Sequence, residues 1–498
     1  MRANSRDNTL NSAKALNVTS DTQSIQDWVG RSDTVDFYSF NLSGRSSFNL
    51  SLSGLTANAD VQLIRDANSN GQVDTNEIIA GSYQTSRKSE SIQTTLDGGN
   101  YFIKVYSASG STNYKLGVSA KSEVVTPPTT ADWTFMVYLD ADNNLENYGI
   151  QDFLEMGKVG STANVNIVVQ MDRISGYDSR YDNWTDTRRG LVRQWDKPGS
   201  SWGTSIDEAN MGAQSTLSDF INWSMTNYKA NNYALVLWNH GGGYDGICWD
   251  DSNQSDRLEL KEISAALANL SDTVDVVGAD ACLMGMTEFA YQIRNHASVM
   301  VAAEELTPGQ GWNYTRVLSD LTANSKMTAA EFGSAIVKGF GDYYGPLDTG
   351  VQETLSAIDL VKLRSSNPNN LSNTLSQFAT IFMNVSTLSD RMKLETYRAS
   401  SVNFGDGYYP EYRDLGSILA GVINDITMTS MIRDAALMVV DAYNSLVISN
   451  YSADERATGL AISFQTRGKS VDSYYNSSNL DFAADTTWDE FLRWWQTA

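Results

Sequence analysis

Two periodicities divide the chain. Up to about residue 120, apolar and polar positions alternate in short runs set among Ser, Thr, Asn and Gly. These runs include Asp36-Phe-Tyr-Ser-Phe-Asn-Leu, Ser47-Phe-Asn-Leu-Ser-Leu, Asp60-Val-Gln-Leu-Ile, Gly99-Asn-Tyr-Phe-Ile-Lys-Val-Tyr and Tyr114-Lys-Leu-Gly-Val. Alternation sends every second side chain to one face, so such runs between turn residues predict a small antiparallel β-sandwich over residues 1–120. Residues 121–131 carry Thr-Pro-Pro-Thr-Thr and read as an extended linker. From residue 132 the alternation gives way to continuous apolar runs: Thr134-Phe-Met-Val-Tyr-Leu, Val165-Asn-Ile-Val-Val-Gln, Gly190-Leu-Val-Arg-Gln-Trp, and residues 234–238, 274–277 and 299–303. Between them fall helical spacings, such as Leu217, Phe220, Ile221, Met225 and Tyr228, and helices over about 259–270 and 287–294. Asp140-Ala-Asp-Asn-Asn-Leu-Glu offers caps for a helix after the first run. Apolar strands alternating with helices predict an α/β unit over 132–360, with a mostly parallel sheet and right-handed crossovers. A strand-like run at 354–358 lies near the end of that unit, and residues 361–498 read as mostly helical elaboration completing or flanking it, with a strand-like run at 459–464.

Composition narrows the partners. At 498 residues the chain exceeds one hydrophobic core, which agrees with a multidomain reading. A net charge of -23 excludes nucleic acid as the expected partner, because phosphate binding requires clustered Lys and Arg. No apolar run approaches a membrane span, and Met1-Arg-Ala-Asn-Ser-Arg-Asp-Asn lacks the apolar core of a signal peptide.

The reactive residues fall in one stretch, residues 233–286. Tyr233-Ala-Leu-Val-Leu-Trp-Asn-His-Gly-Gly-Gly ends at His240, one of 2 histidines, and Val274-Asp-Val-Val-Gly-Ala-Asp-Ala-Cys ends at Cys282, one of 2 cysteines. Parallel sheets gather ligands at the carboxyl ends of their strands. A histidine within reach of a thiol can take its proton and leave a nucleophilic thiolate. The interval between the two residues suits a strand–helix–strand crossover, which would bring neighbouring strand ends together. The N–H groups of Gly241 and Cys282 are then candidate oxyanion donors. Asp280 lies two residues before Cys282, on the same face of an extended chain, where a carboxylate can grip a basic side chain. Cys248 reads as packing. His296 follows a helix, at an end where a cation is favoured.

These motifs carry a resemblance. Trp-Asn-His240-Gly-Gly-Gly, Gly-Ala-Asp280-Ala-Cys282-Leu-Met-Gly-Met and Ala-Ala-Glu304-Glu-Leu-Thr-Pro-Gly-Gln-Gly-Trp-Asn-Tyr314 resemble the clostripain family, in the clan of caspases, gingipains and legumain. The resemblance implies a caspase-like α/β domain and a cysteine endopeptidase. It makes His240 the general base, Cys282 the nucleophile and Asp280 the floor of an S1 pocket, with cleavage of polypeptides after Arg or Lys. Family members often mature by self-cleavage between the two motifs, an interval that here contains Arg257 and Lys261. The first 120 residues resemble the pre-peptidase C-terminal sandwich attached to secreted bacterial peptidases, on the strand Gly99-Asn-Tyr-Phe-Ile-Lys-Val, and imply a secreted or cell-surface protein.

One further motif lies in the sandwich. Asp66-Ala-Asn-Ser-Asn-Gly-Gln-Val-Asp-Thr-Asn-Glu77 fits a twelve-residue calcium loop. Its oxygen ligands would be Asp66, Asn68, Asn70, the Gln72 carbonyl, Asp74 and Glu77, with Gly71 at the sharp turn. Its flanks read as strands, so the ion would be a structural staple. Two rival functions follow from the same residues. His240-Gly-Gly-Gly243 and Gly199-Ser-Ser-Trp-Gly203 mimic motifs of α/β-hydrolase esterases, but Asp196-Lys-Pro stands where the strand before a serine elbow should be. A noncatalytic surface protein on a peptidase-like scaffold is the other.

Overall fold

In the computed structural model, which describes residues 7–42, 46–65, 71–74, 77–96, 99–122, 130–268, 270–405 and 407–498, the alternating runs become nine strands. They are β1 (Lys14–Ala15), β2 (Gln23–Val29), β3 (Val35–Leu42), β4 (Ser46–Ser53), β5 (Asn58–Ile64), β6 (Ile78–Ser82), β7 (Glu90–Leu96), β8 (Gly99–Ser109) and β9 (Thr112–Ser122). Two sheets, ordered β1-β3-β8-β5-β6 and β2-β9-β4-β7, enclose a core that includes Phe48, Leu52, Val61, Ile103, Leu116 and Val118. On β4, Phe48, Leu50 and Leu52 are buried while Ser47, Asn49 and Ser51 are exposed, the alternation legible in the sequence. Contacts divide the chain into two units, residues 1–128 and 129–498.

The second unit is organised on β10 (Ala131–Ala141), buried at all of its positions. Trp133, Phe135, Val137 and Leu139 enter one apolar core, whereas Met136 and Tyr138 enter another on the opposite face. A strand buried on both faces is the signature of a central parallel strand. Its neighbours are β11 (Val165–Arg173), then at one edge β12 (Arg188–Leu191) and β13 (Thr204–Ser205), and on the other side β14 (Ala230–Trp238). A separate hairpin, β15 (Ile247–Asp250) and β16 (Asp256–Leu258), follows β14. The sheet continues through β17 (Val274–Asp280), β18 (Ala297–Ala302) and β19 (Thr354–Asp359). The strands β11, β10, β14, β17 and β18 are mutually parallel and form its middle; β12, β13 and β19 pair antiparallel at the edges.

Helices α1 (Glu146–Val159), α5 (Tyr314–Ala323) and α6 (Ala329–Tyr344) cover the Phe135 face. The opposite face holds α2 (Gln214–Asn227), α3 (Leu260–Ala268) and α4 (Thr287–Ile293). Phe135 is 0% exposed and edge-packed against Tyr314 and Phe332, so its truncation to Ala should cost about 3–5 kcal/mol. The expected caps on α1 are absent: its N-cap is Leu145, with no side-chain cap bond. Asp140 and Asp142 are fully buried instead, and Asn143 Oδ1 accepts the Leu145 N–H at 2.9 Å.

Past residue 360 lie α7 (Leu360–Leu363), α8 (Leu371–Val385), α9 (Leu388–Ser400), α10 (Leu415–Asn424), α11 (Ser430–Leu446), α12 (Asp481–Asp485) and α13 (Trp488–Trp495). The strands there are β20 (Tyr412–Asp414), β21 (Val447–Ser452) and β22 (Ala461–Ser463). The predicted run at 459–464 pairs with β20 rather than the main sheet, whereas β21, for which the sequence reading named no strand, becomes the outer strand beside β19. Among the described residues, no helix is long and apolar enough to cross a membrane.

Candidate active site

β14 and β17 lie side by side and parallel, with Trp238 opposite Asp280. His240 and Cys282 each stand two residues past that matched pair, so both chains leave the sheet at one level. They line a cleft of about 140 Å³ with Leu145, Asp280, Thr307 and Gly311. The two loops touch behind it: a Cβ on Gly241 would stand 2.1 Å from the carbonyl oxygen of Cys282, so only glycine permits the approach. Leu283 holds a left-handed φ of 65°, a strained conformation for a residue with a side chain, fixed by its N–H bond to the Glu305 carbonyl at 3.2 Å.

The imidazole is half-buried, with Nε2 2.9 Å from Asn144 Oδ1. An amide oxygen only accepts, so Nε2 carries the hydrogen and Nδ1 the lone pair. The backbone N–H of His240 donates to Asn239 Oδ1, and Asn239 Nδ2 donates at 2.7 Å to both the carbonyl and Oδ2 of Asp140. Burial pushes the His240 pKa down, with Asp251 pulling the other way. Burial pushes the Cys282 thiol up, against a 3.3 Å bond from the Thr307 N–H to Sγ. Both shifts favour the neutral forms, so the resting pair is a thiol and an imidazole.

Asp280 closes the cleft and is 4% exposed. Its Oδ2 accepts from the Trp312 N–H and the Tyr314 hydroxyl, each at 3.0 Å; Oδ1 has no hydrogen-bond partner among the described residues. Gly311, φ +54°, gives it room, since a Cβ there would fall 2.6 Å from Oδ2. Burial pushes the Asp280 carboxyl up, opposed by its two donors. Asp152, also buried, accepts from Trp238 Nε1 at 2.7 Å, and the charge of Asp280 helps hold its carboxyl up as well.

The remaining sequence candidates lie elsewhere. Arg257 sits on β16 with its guanidinium 2.9 Å from Asp245, and Lys261 lies in α3 with Nζ 2.5 Å from the Ser478 carbonyl. Of the calcium-loop residues, Asp66, Asn68 and Asn70 lie outside the described residues. Gly71 adopts the left-handed φ of 71° that the sharp turn requires, and buried Glu77 accepts the Asp74 N–H at 3.1 Å between β5 and β6. Gln72 is exposed. Cys248 is 0% exposed, in keeping with packing. His296 is not a favoured cation: burial first, then Arg294 and Arg364, lower its pKa. Gly199-Ser-Ser-Trp-Gly203 forms a turn between the antiparallel edge strands β12 and β13, not a strand-to-helix elbow.

Reading the sequence passed over Asn144, Thr307, Trp312, Tyr314 and Asp152. Asn144 stood among residues taken for helix caps. Trp312 and Tyr314 lay inside a quoted motif but about 30 positions from Asp280, a separation that only the folded sheet bridges.

This is the layout of a caspase-like cysteine peptidase. The chain belongs to the clostripain family, whose sequence profile matches residues 137–495, and the bacterial pre-peptidase C-terminal domain matches residues 34–107. It is 27% identical over 425 residues to clostripain of Hathewaya histolytica, covering 71% of this chain and 78% of that protein. In fold it is similar to a secreted cysteine protease from Bacteroides thetaiotaomicron solved with an irreversible peptide inhibitor (TM-score 0.53, 18% identity, 71% of this chain, 99% of that one). It is also similar to an inactive zymogen protease from Parabacteroides distasonis (TM-score 0.50, 17% identity, 74% of this chain, 98% of that one).

Proposed function

We propose that this cysteine peptidase is an exported endopeptidase that cleaves polypeptides after Arg or Lys, with His240 and Cys282 as its catalytic dyad. The observation that carries the reading is the register of β14 against β17, from which the thiol, the imidazole and a buried carboxylate reach one cleft. In the first step His240 Nδ1 takes the Cys282 proton as Sγ attacks the scissile carbonyl carbon. The N–H groups of Gly241 and Cys282 stabilise the oxyanion. Collapse breaks the C–N bond, the imidazolium gives its proton to the leaving amine, and water, deprotonated by the same imidazole, hydrolyses the thioester. Asp280 binds the basic side chain: a buried carboxylate with a spare oxygen gains most from a cation that arrives with its own donors.

The experiment is turnover of fluorogenic peptides ending in Arg or Lys. Cys282→Ala should lose roughly four orders of magnitude or more; equal turnover by both proteins would sink the dyad. We further propose maturation by self-cleavage at Arg257 or Lys261, which requires the β15–β16 hairpin to open and release Arg257 from Asp245. Secretion of the Bacteroides relative and the attached sandwich support export. In the sandwich, Asp66, Asn68, Asn70, the Gln72 carbonyl, Asp74 and Glu77 would hold a calcium ion that supplies cross-linking and no chemistry. Calcium should raise the Tm of the unfolding step assigned to the sandwich by a few degrees, roughly 1 kcal/mol or more, and Asp66→Ala should remove that rise.

A further inference from the structure

Asp280 is not the only carboxyl beneath the cleft. Asp152, on α1, is 2% exposed, beside the 4% of Asp280. Trp238 joins the two: it stands opposite Asp280 in the β14–β17 ladder, it lines the cleft, and its Nε1 donates to Asp152 Oδ2 at 2.7 Å. Helix α1 meets that indole closely at Gly149, where an added Cβ would stand 3.4 Å from the ring. Asp152 lies behind the cleft and is not part of its lining.

Neither carboxyl has a cationic partner. Among the described residues, Asp152 accepts from the Trp238 indole and Asp280 from the Trp312 N–H and the Tyr314 hydroxyl, and no Lys, Arg or His side chain pairs with either. The titratable groups that face the pair are Glu155 on α1, Tyr314 on α5 and Tyr344 on α6, with His240 and Cys282 along the cleft. None of them carries a fixed positive charge. Two bare carboxylates around one indole, both withdrawn from water, do not ionise together, so one keeps a proton. Asp280 has two bracing donors and an opening to the cleft; Asp152 has the indole alone, and the proton rests there. Burial and the charge of Asp280 push the Asp152 carboxyl well up, whereas Asp280, held down by its donors, is pushed up only to about 7.

We infer that Asp152 is the proton-holding partner of the S1 pocket: it keeps the empty pocket at one negative charge and gives its proton to solvent when a basic side chain binds Asp280. The inference rests on Asp280 as the S1 carboxylate. The O–H bond of the Asp152 carboxyl breaks, the proton passes to water, and the charge of the substrate takes the place of the proton. Asp152 touches no substrate and acts through Asp280. A neutral side chain of the same shape brings no charge and displaces no proton. Binding that releases a proton strengthens as pH rises, so affinity for Arg keeps growing above pH ~7, after Asp280 has ionised.

Calorimetric titration of the full chain carrying Cys282→Ala, with peptides ending in arginine amide or citrulline amide, counts the protons. The titration is run at pH ~8 in buffers of different ionisation enthalpy. His240, whose pKa burial lowers, is neutral at that pH, and the guanidinium charge is constant. The arginine peptide should release at least about half a proton per chain, and the citrulline peptide none. Asp152→Asn on the same background keeps an acceptor for Trp238 Nε1. It should still prefer arginine but release no proton, and its ratio of arginine to citrulline affinity should stay flat between pH ~8 and ~9, where that of Cys282→Ala alone rises several-fold. Arginine binding without proton release in the Cys282→Ala protein overturns the inference and leaves the S1 reading standing. Release that persists in Asp152→Asn puts the proton on another group and overturns it too. Equal affinity for the two peptides removes Asp280 as the S1 carboxylate and takes this inference with it. The proton count of the Cys282→Ala protein decides even where Asp152→Asn fails to fold.

Discussion

Asp280 is a buried carboxylate and the Asp142–Glu208–Asp250 cluster joins two buried carboxylates to an exposed one, and the two are built differently. Asp280 is a single carboxylate braced by the Trp312 N–H and the Tyr314 hydroxyl, with one oxygen left over and an opening to the cleft. The cluster gathers its carboxylates from several segments and faces no substrate-lined cavity. One donor-braced charge can wait for a transient cation, because its donors stabilise it in the meantime. In the cluster Asp250 is braced as well, by the Met211 and Asn253 N–H groups, and Asp142 by the Ser252 N–H. The contrast teaches that access to the cleft, not the number of bracing donors, separates the two: Asp280 lines it and the cluster's carboxylates do not.

The largest effect that could break this contrast is on Asp280. Asp280→Asn should cost roughly two to three orders of magnitude in kcat/KM for peptides ending in Arg or Lys, while a citrulline-ending peptide loses little. A variant that kept its preference for Arg over citrulline would return Asp280 to a purely structural role. Next in size is Asn144→Ala, which should lower kcat about tenfold, leave KM near its original value and shift the lower limb of the kcat pH profile, because only the imidazole loses its partner. A change confined to KM would show that Asn144 touches substrate instead.

The smallest effect is a pH dependence, and its sign follows from burial. The Asp280 carboxyl titrates above its ordinary range, so it is protonated and neutral at a pH where an exposed aspartate is charged. Preference for Arg over citrulline should therefore fall several-fold as pH drops from ~8 to ~5, measured as the ratio of kcat/KM values. Stability runs the other way. The folded state holds this proton more tightly than the unfolded one, so the contribution of Asp280 to stability is lost as pH rises from the unfolded pKa through the raised folded one. Asp280→Asn should accordingly gain Tm relative to the parent at the alkaline end of that window.

Much of this was legible in the residues. Continuous apolar runs located the parallel middle of the sheet, and strand ends placed His240 and Cys282 at its carboxyl edge, because burial on both faces and a chain's exit from a sheet are local properties. Asn144, Tyr314 and the acidic cluster were not legible. Asp140-Ala-Asp-Asn-Asn fits a helix start as well as a buried acidic site, and what decides is the opposing Asp172 and Asp250, 32 and 110 positions beyond Asp140. β21 was hidden for a related reason: its Val-Ile-Ser-Asn-Tyr run follows α11 without a turn residue, and only an open edge at β19 draws it into a ladder.

The order of strands in the main sheet has a mechanical consequence. A chain cut within residues 251–261 would leave β14 on one fragment and β17 on the other, yet those strands are neighbours in the middle of the sheet, joined from Ala234 opposite Val276 to Trp238 opposite Asp280. Each fragment would be a half-sheet with a bare inner edge, and the two would behave as a permanent couple that travels as one particle and parts only in denaturant. A backbone break there would change the count of chains without changing the count of folded bodies.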